Sequence, residues 1–273
     1  MKICVLSNYA AYGNAAALAE GLKHFAEVVT VFRYRDEKGM DLQTKCLYGT
    51  NVPKCDHYIV IGAISISMLP KRCNGNVTAI MTDSTFMLSP EKFNKMFKSN
   101  GWRVWAMPDL APLAHTENIY YQPFIIPKVD KRKTDLICHS PHNEAKELQK
   151  GTALIAAVCA KYNLPLTIIK GKTWRETIKI KAQHLFCVDQ LVRGIGKSGL
   201  EGMLLDSVVI SGVKPQGNNL PPIAWTDKKS FENDLIELIF DKQRQNEIIE
   251  SQREWGKVNL DPKVMARKII EKI

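Results

Sequence analysis

The feature that most constrains this chain is a rhythm that runs, stops and starts again. Over residues 1–125, short apolar runs alternate with amphipathic stretches. Lys2–Leu6, Val28–Phe32, His57–Ile61, Val77–Met81 and Arg103–Met107 read as strands, with predicted helices over Ala15–Phe25 and Glu91–Phe97. This alternation is the pattern of a parallel sheet wrapped by helices. Residues 120–133 interrupt it with Pro123, Pro127 and the basic run Lys128, Lys131, Arg132, Lys133, which reads as a linker. The rhythm then restarts. Strands are predicted at Thr134–His139, Leu166–Ile169, Leu185–Val188 and Val208–Ile210, and helices at Gly151–Lys161, Trp174–Ala182, Leu200–Leu205, Phe231–Ser251 and Pro262–Ile273. The expected architecture is α/β, with two Rossmann-like domains over 1–125 and 126–255. A length of 273 residues suits two such units.

Composition narrows the function classes. Hydrophobic residues at 45% and charged residues at 24% exclude a disordered or fibrous chain. Seven cysteines, with no Cys-x-x-Cys pair and several inside apolar runs, read as buried thiols in a reducing compartment. The start, MKICVLSNY, lacks the pattern of a signal peptide, and no apolar run approaches the length of a membrane span. A cytoplasmic protein is expected. No two Cys/His pairs have zinc spacing and no Asp-x-Asp occurs, so no obligatory metal is expected.

The net charge is +10. Residues 1–125 carry 13 basic against 10 acidic side chains, and the rest carry 25 against 18, so most of the excess lies beyond residue 125. Lys170, Lys172, Arg175, Lys179 and Lys181 form one cluster, and Lys92, Lys95, Lys98 and Arg103 another. Such runs are either solvated faces or the footprint of a polyanion.

The densest chemistry lies in Asp189–Ile210, DQLVRGIGKSGLEGMLLDSVVI. A predicted strand feeds a loop containing Gly194, Gly196 and Gly199, then a helix. Glycines let backbone approach a ligand, and amides at a helix start attract phosphate. Lys197 and Ser198 add a charge and a hydroxyl. The spacing is neither the P-loop nor the dinucleotide fingerprint. Without a ligand, the same stretch is a glycine-rich turn, and Glu201 a carboxylate favoured by the helix dipole.

The stretch Gly194-Ile195-Gly196-x-x-x-Leu200-Glu201-Gly202-Met203 resembles the donor-binding signature of nucleotide-sugar glycosyltransferases of the two-domain GT-B fold. The resemblance implies two domains facing a cleft, with the tail, about 256–273, packing back on the first. It implies that Glu201 binds the donor ribose and that the Gly194–Ser198 loop, including Ile195 and Lys197, holds the diphosphate. Lys150, in Lys150-Gly151-Thr152, matches the family lysine that neutralises the leaving diphosphate. His139, in His139-Ser140-Pro141, falls in the family's donor-facing loop, and Asp189-Gln190 precedes the glycine loop as in some members. Retaining members often carry a glutamate eight positions before the ribose glutamate. Arg193 stands there instead, a departure that speaks against retention and gives Arg193 a phosphate or nucleic-acid acceptor as an alternative partner.

In the first half, Met81-Thr82-Asp83-Ser84 ends a predicted strand and is similar to a segment of phage DNA glucosyltransferases, which modify hydroxymethylated pyrimidines. That similarity implies that Asp83 is the catalytic base. A loop or cap aspartate is the alternative. The loop Ser7–Asn14, with Tyr9, Tyr12 and Gly13, follows the first strand and is expected to meet donor or acceptor. Together these imply transfer of a hexose, glucose first, from a nucleotide sugar (UDP-glucose first) to a hydroxyl, with a hydroxymethylated pyrimidine in DNA as the expected acceptor. A cell-surface glycan or lipid acceptor is one alternative. A non-catalytic nucleic-acid-binding Rossmann protein is another, which would not need Lys150, the glycine loop and Glu201 together.

Overall fold

The computed structural model describes residues 1–9, 14–34, 46–71, 73, 76–82, 84–142, 150–215 and 219–273. The chain divides into one unit of Met1–Ile125 with Val258–Ile273 and a second of Ile126–Lys257. Each is built on a wholly parallel sheet, as in Rossmann-like folds.

The first unit contains β1 (Lys2–Tyr9), α1 (Asn14–Leu22), β2 (Glu27–Tyr34), β3 (Leu47–Tyr48), β4 (His57–Ile61), a 3-10 turn (Ala63–Met68), β5 (Val77–Met81), α2 (Ser84–Leu88), α3 (Pro90–Ser99) and β6 (Arg103–Ala106). The strand order is β3-β2-β1-β4-β5-β6, the doubly wound arrangement that reverses direction between β1 and β4. Its central strands are apolar without alternation because both faces are covered. All five residues of β4 and of β5 are buried. α3 has Pro90 and Glu91 in its first turn and Lys98 in its last, the placement the helix dipole favours. Its Phe97 stacks with both Phe86 and Phe93, while Lys92, Lys95 and Lys98 face solvent.

The second unit contains β7 (Asp135–His142), α4 (Thr152–Lys161), β8 (Leu166–Lys170), α5 (Trp174–Ala182), β9 (His184–Val188), α6 (Lys197–Leu204), β10 (Val208–Ser211), β11 (Ala224–Trp225), α7 (Phe231–Phe240) and all but the last two residues of α8 (Lys242–Asn259). Its order, β11-β10-β9-β7-β8, reverses between β7 and β9. Ile137, Phe186, Val188, Val208 and Ile210 from the strands meet Ile155, Val158, Phe231 and Leu235 from the helices in one core. α5 opens on a reciprocal capping box between Thr173 and Glu176.

α9 (Pro262–Ile270) belongs to the first unit and lies against α1. A Cβ at Gly21 would sit 2.0 Å from the Pro262 carbonyl oxygen, so only glycine permits that approach.

The expected helix over 231–251 is two helices. Asp241 leaves the helical region at ψ 83°, and its carboxylate accepts the Arg244 amide at 2.9 Å as the cap of α8. The Gln245 side chain then satisfies the last carbonyls of α7, Leu238 at 2.7 Å and Ile239 at 3.0 Å. α6 begins at Lys197 rather than at Leu200, because Gly196 already accepts the Leu200 amide at 3.2 Å. The two-residue edge strands β3 and β11 carry too little pattern to be read from sequence.

Candidate functional site

Ligands of open parallel sheets bind beyond the carboxyl ends of the strands, where the strand order reverses. In the second unit that point lies between β7 and β9. Asp189, the residue after β9, is fully buried there and is the hub of the local structure. One of its oxygens accepts the Gly196 amide at 2.5 Å, and the other meets Lys150 Nζ at 3.3 Å. Lys150 also donates to the Ser140 carbonyl beyond the middle of β7 at 3.0 Å. A single buried carboxylate therefore fixes both a candidate diphosphate-binding lysine and the residue that caps α6.

Two of the loop's glycines, Gly196 and Gly199, follow from this carboxylate. A Cβ at Gly196 would stand 3.3 Å from Asp189 Oδ2, and one at Gly199 would stand 3.1 Å from it and 2.7 Å from Ile195 Cγ1. Their spacing makes room for Asp189 and Ile195 under the start of α6. Gln190 continues the brace, its side-chain amide donating to the Gly194 carbonyl. Ile195 is buried, Arg193 is exposed, and Ser198 is buried in the first turn of α6.

Glu201, one turn further on, is 3% exposed. It accepts Trp174 Nε1 at 2.8 Å on one oxygen and Lys181 Nζ at 2.7 Å on the other, with Lys197 Nζ 3.6 Å away. Trp174 and Lys181 are seven residues apart on α5, two turns, and so share a face. Lys181 also donates to Ser198 Oγ at 2.8 Å and to the Ser198 carbonyl at 3.2 Å. Burial opposes both charges, yet each outweighs it for the other. The Glu201 carboxyl is held below its ordinary pKa and the Lys181 ammonium above its own. Lys181 and Trp174 were not anticipated as site residues; the sequence placed Lys181 in a basic cluster.

His139 is buried with both ring nitrogens engaged. Nδ1 lies 2.8 Å from the Val188 carbonyl and Nε2 lies 2.8 Å from Thr152 Oγ1. A carbonyl only accepts, so Nδ1 carries the proton and Nε2 accepts the Thr152 hydroxyl. The imidazole thus ties β7 to β9 and α4 beneath the site.

Burial pushes the His139 pKa down to about 4, and burial with the Arg103 charge does the same to His57 in the first unit, also to about 4. Both rings stay neutral in the fold, whereas the unfolded chain binds their protons near pH 6.5. Between pH 6.5 and 4 the unfolded state therefore holds more protons, and stability falls on acidification. Chemical denaturation across that range is expected to lose on the order of 2 kcal/mol per histidine. His57→Gln is expected to flatten the slope, and an unchanged slope would show that His57 is not buried neutral.

Asp83, Tyr12 and Gly13 lie outside the described residues. β5 ends at Met81 and α2 begins at Ser84 on either side of Asp83. Tyr9 is the last residue of β1. Among the described residues there is no group of three potential metal ligands and no helix long and apolar enough to cross a membrane. Cys4, Cys138, Cys159 and Cys187 are buried free thiols, and Cys46, Cys55 and Cys73 are partly exposed.

Neither a family model nor a curated protein matches the chain by sequence. Solved structures do match it over nearly its whole length. An alpha-glucosyltransferase in complex with UDP and a 13-mer DNA containing a HMU base has a TM-score of 0.64 at 12% identity, covering 99% of this chain and 98% of that one. Alr3699/HepE of Anabaena, in complex with UDP-glucose, has a TM-score of 0.65 at 11% identity, covering 100% and 99%. The fold is GT-B. The match extends through both Rossmann-like units of the GT-B architecture. The same fold appears in a putative UDP-N-acetylglucosamine 2-epimerase from Listeria monocytogenes, with a TM-score of 0.61 at 10% identity, covering 98% and 94%. The GT-B fold thus accommodates more than one chemistry, and function has to be argued from the residues.

Proposed function

We propose that the chain is a nucleotide-sugar glycosyltransferase that moves a hexose, glucose first, from UDP to the hydroxyl of a hydroxymethylated pyrimidine in DNA. The observation that carries the donor half is the convergence of Lys150, the Asp189-braced glycine loop and the first turn of α6 at the switch point of the second unit. A lysine and helix-start amides are what a diphosphate needs when no metal neutralises it. Glu201, kept ionised by Lys181, has lone pairs left for the two ribose hydroxyls. In the reaction the acceptor oxygen attacks the anomeric carbon and the bond from that carbon to the diphosphate oxygen breaks. UDP departs with the electron pair, and the hydroxyl proton passes to Asp83.

The DNA half is supported by the +10 charge and by the HMU-containing DNA bound to one structural neighbour. A base inside a duplex would have to be flipped out, and phosphate contacts would make binding salt-dependent. One observation favours a second reading, an acceptor at an anionic membrane. Leu88 is 83% exposed directly before the basic face of α3.

The test supplies UDP-glucose with hydroxymethylated duplex DNA at low salt and follows sugar incorporation. The expected result is DNA-dependent release of UDP, with Asp83→Asn binding UDP-glucose normally but transferring at least about 100-fold more slowly. Release of UDP that DNA does not stimulate would remove the DNA acceptor. Normal transfer by Asp83→Asn would move the base elsewhere.

A further inference from the structure

The first unit has its own switch point, between β1 and β4, and a buried polar group stands at it without a partner. Asn8, near the carboxyl end of β1, is 8% exposed, and its side-chain oxygen has no hydrogen-bond partner among the described residues. Its backbone is well held, for the Asn8 amide donates to Ser65 Oγ at 2.7 Å. Ser65 is 1% exposed in the 3-10 turn that follows β4, where Gly62 takes a left-handed φ of 84°. The end of β1 is thus tied to the turn that follows β4, and Ser65, which uses its oxygen as acceptor, keeps its own proton to donate.

A buried acceptor with no partner is a standing cost to the fold, and an apolar side chain of the same shape would remove it. An asparagine kept at this cost is accounted for if a group outside the free protein supplies the missing donor. We infer that the Asn8 carboxamide oxygen is a specificity-determining group of the acceptor subsite, which accepts a hydrogen bond from an N–H on the Watson–Crick edge of a flipped pyrimidine. This rests on the nucleobase acceptor proposed above. Both uracil, through its ring N–H, and cytosine, through its exocyclic amine, present such a donor. Side-chain amides are suited to reading base edges, and enzymes that act on a flipped base read that edge by hydrogen bonds.

The test exploits the opposite signs that a fold role and a ligand role give. Asn8→Leu keeps the side-chain shape and removes the oxygen, and Asn8→Ala is the smaller control. Thermal unfolding of the free protein and steady-state transfer from UDP-glucose to hydroxymethylated duplex DNA are measured for each. The expected result is an unchanged or raised Tm for Asn8→Leu, with the KM for DNA raised roughly tenfold in both variants. The KM for UDP-glucose stays at its wild-type value. A Tm lowered by several degrees in Asn8→Leu, with the KM for DNA unchanged, would overturn the assignment and point to a bound water as the missing donor. An unchanged KM for DNA at any Tm would also overturn it. A wild-type protein that binds UDP-glucose but does not glucosylate this DNA would remove the acceptor reading itself, and the role of Asn8 with it.

Discussion

Replacing Asp189 with alanine is expected to weaken the binding of UDP by at least about 100-fold while leaving both sheets folded. The expectation follows from what the carboxylate holds. It is fully buried, braces the Gly196 amide and meets Lys150, so its loss releases the cap of α6 and the candidate diphosphate lysine together. Each charge-assisted contact is worth about 1.5–3 kcal/mol, and losing both lowers affinity by roughly 100-fold or more. Asp189→Asn separates the two functions. An amide oxygen still accepts from Gly196, but Lys150 loses its counter-charge, so an intermediate loss of about tenfold is expected. Calorimetric titration with UDP checks both variants, and circular dichroism confirms the fold. Wild-type affinity in Asp189→Ala would mean that neither Lys150 nor the start of α6 touches the nucleotide.

How much of this was legible depends on distance along the chain. The parallel sheets could be read because buried strands of a doubly wound sheet are continuous apolar runs, as in HYIVI and VTAIM. Asp189, Gly194, Gly196 and Glu201 were singled out because they lie within 13 residues in one strand–loop–helix unit, where residue type and spacing carry the chemistry. The reason for the glycines was not legible. Gly196 and Gly199 give space to a carboxylate seven and ten residues earlier, which a sequence cannot distinguish from space for a ligand. His139 was assigned to a donor-facing loop, but β7 extends to His142, so the imidazole lies inside the strand and its nitrogens are spent on Val188 and Thr152. Lys181 counted only as part of a basic cluster, because its partner is 20 residues away on another helix. The signal that could have found it is periodicity. Trp174, Ile178 and Lys181 follow one face of α5, and a lysine on an otherwise apolar face calls for a buried carboxylate. Asn8 counted only as one member of the Ser7–Asn14 stretch, since the want of a partner is a property of the folded state alone.

The contact between Lys181 and Glu201 permits an experiment in which stability and affinity part company. Lys181→Met leaves the Glu201 carboxylate buried with Trp174 and the more distant Lys197, and removes the donor to Ser198. Breaking a buried pair by deleting one partner costs about 3–5 kcal/mol, because the remaining charge keeps its desolvation penalty. A fall in Tm on the order of 10 °C is therefore expected. The double variant Lys181→Met/Glu201→Gln removes the uncompensated charge and keeps an oxygen for Trp174. It is expected to recover at least about 2 kcal/mol relative to the single variant, a coupling that thermal or urea unfolding reads directly. UDP affinity is expected to behave differently. If Glu201 accepts the ribose hydroxyls, the glutamine replaces a carboxylate acceptor by a neutral one, and affinity stays roughly tenfold or more below wild type even as the fold recovers. Recovery of stability and affinity together would make Glu201 only the anchor of Lys181. The ribose would then be bound by another group, while Lys150 and the Asp189-braced loop kept their place at the diphosphate.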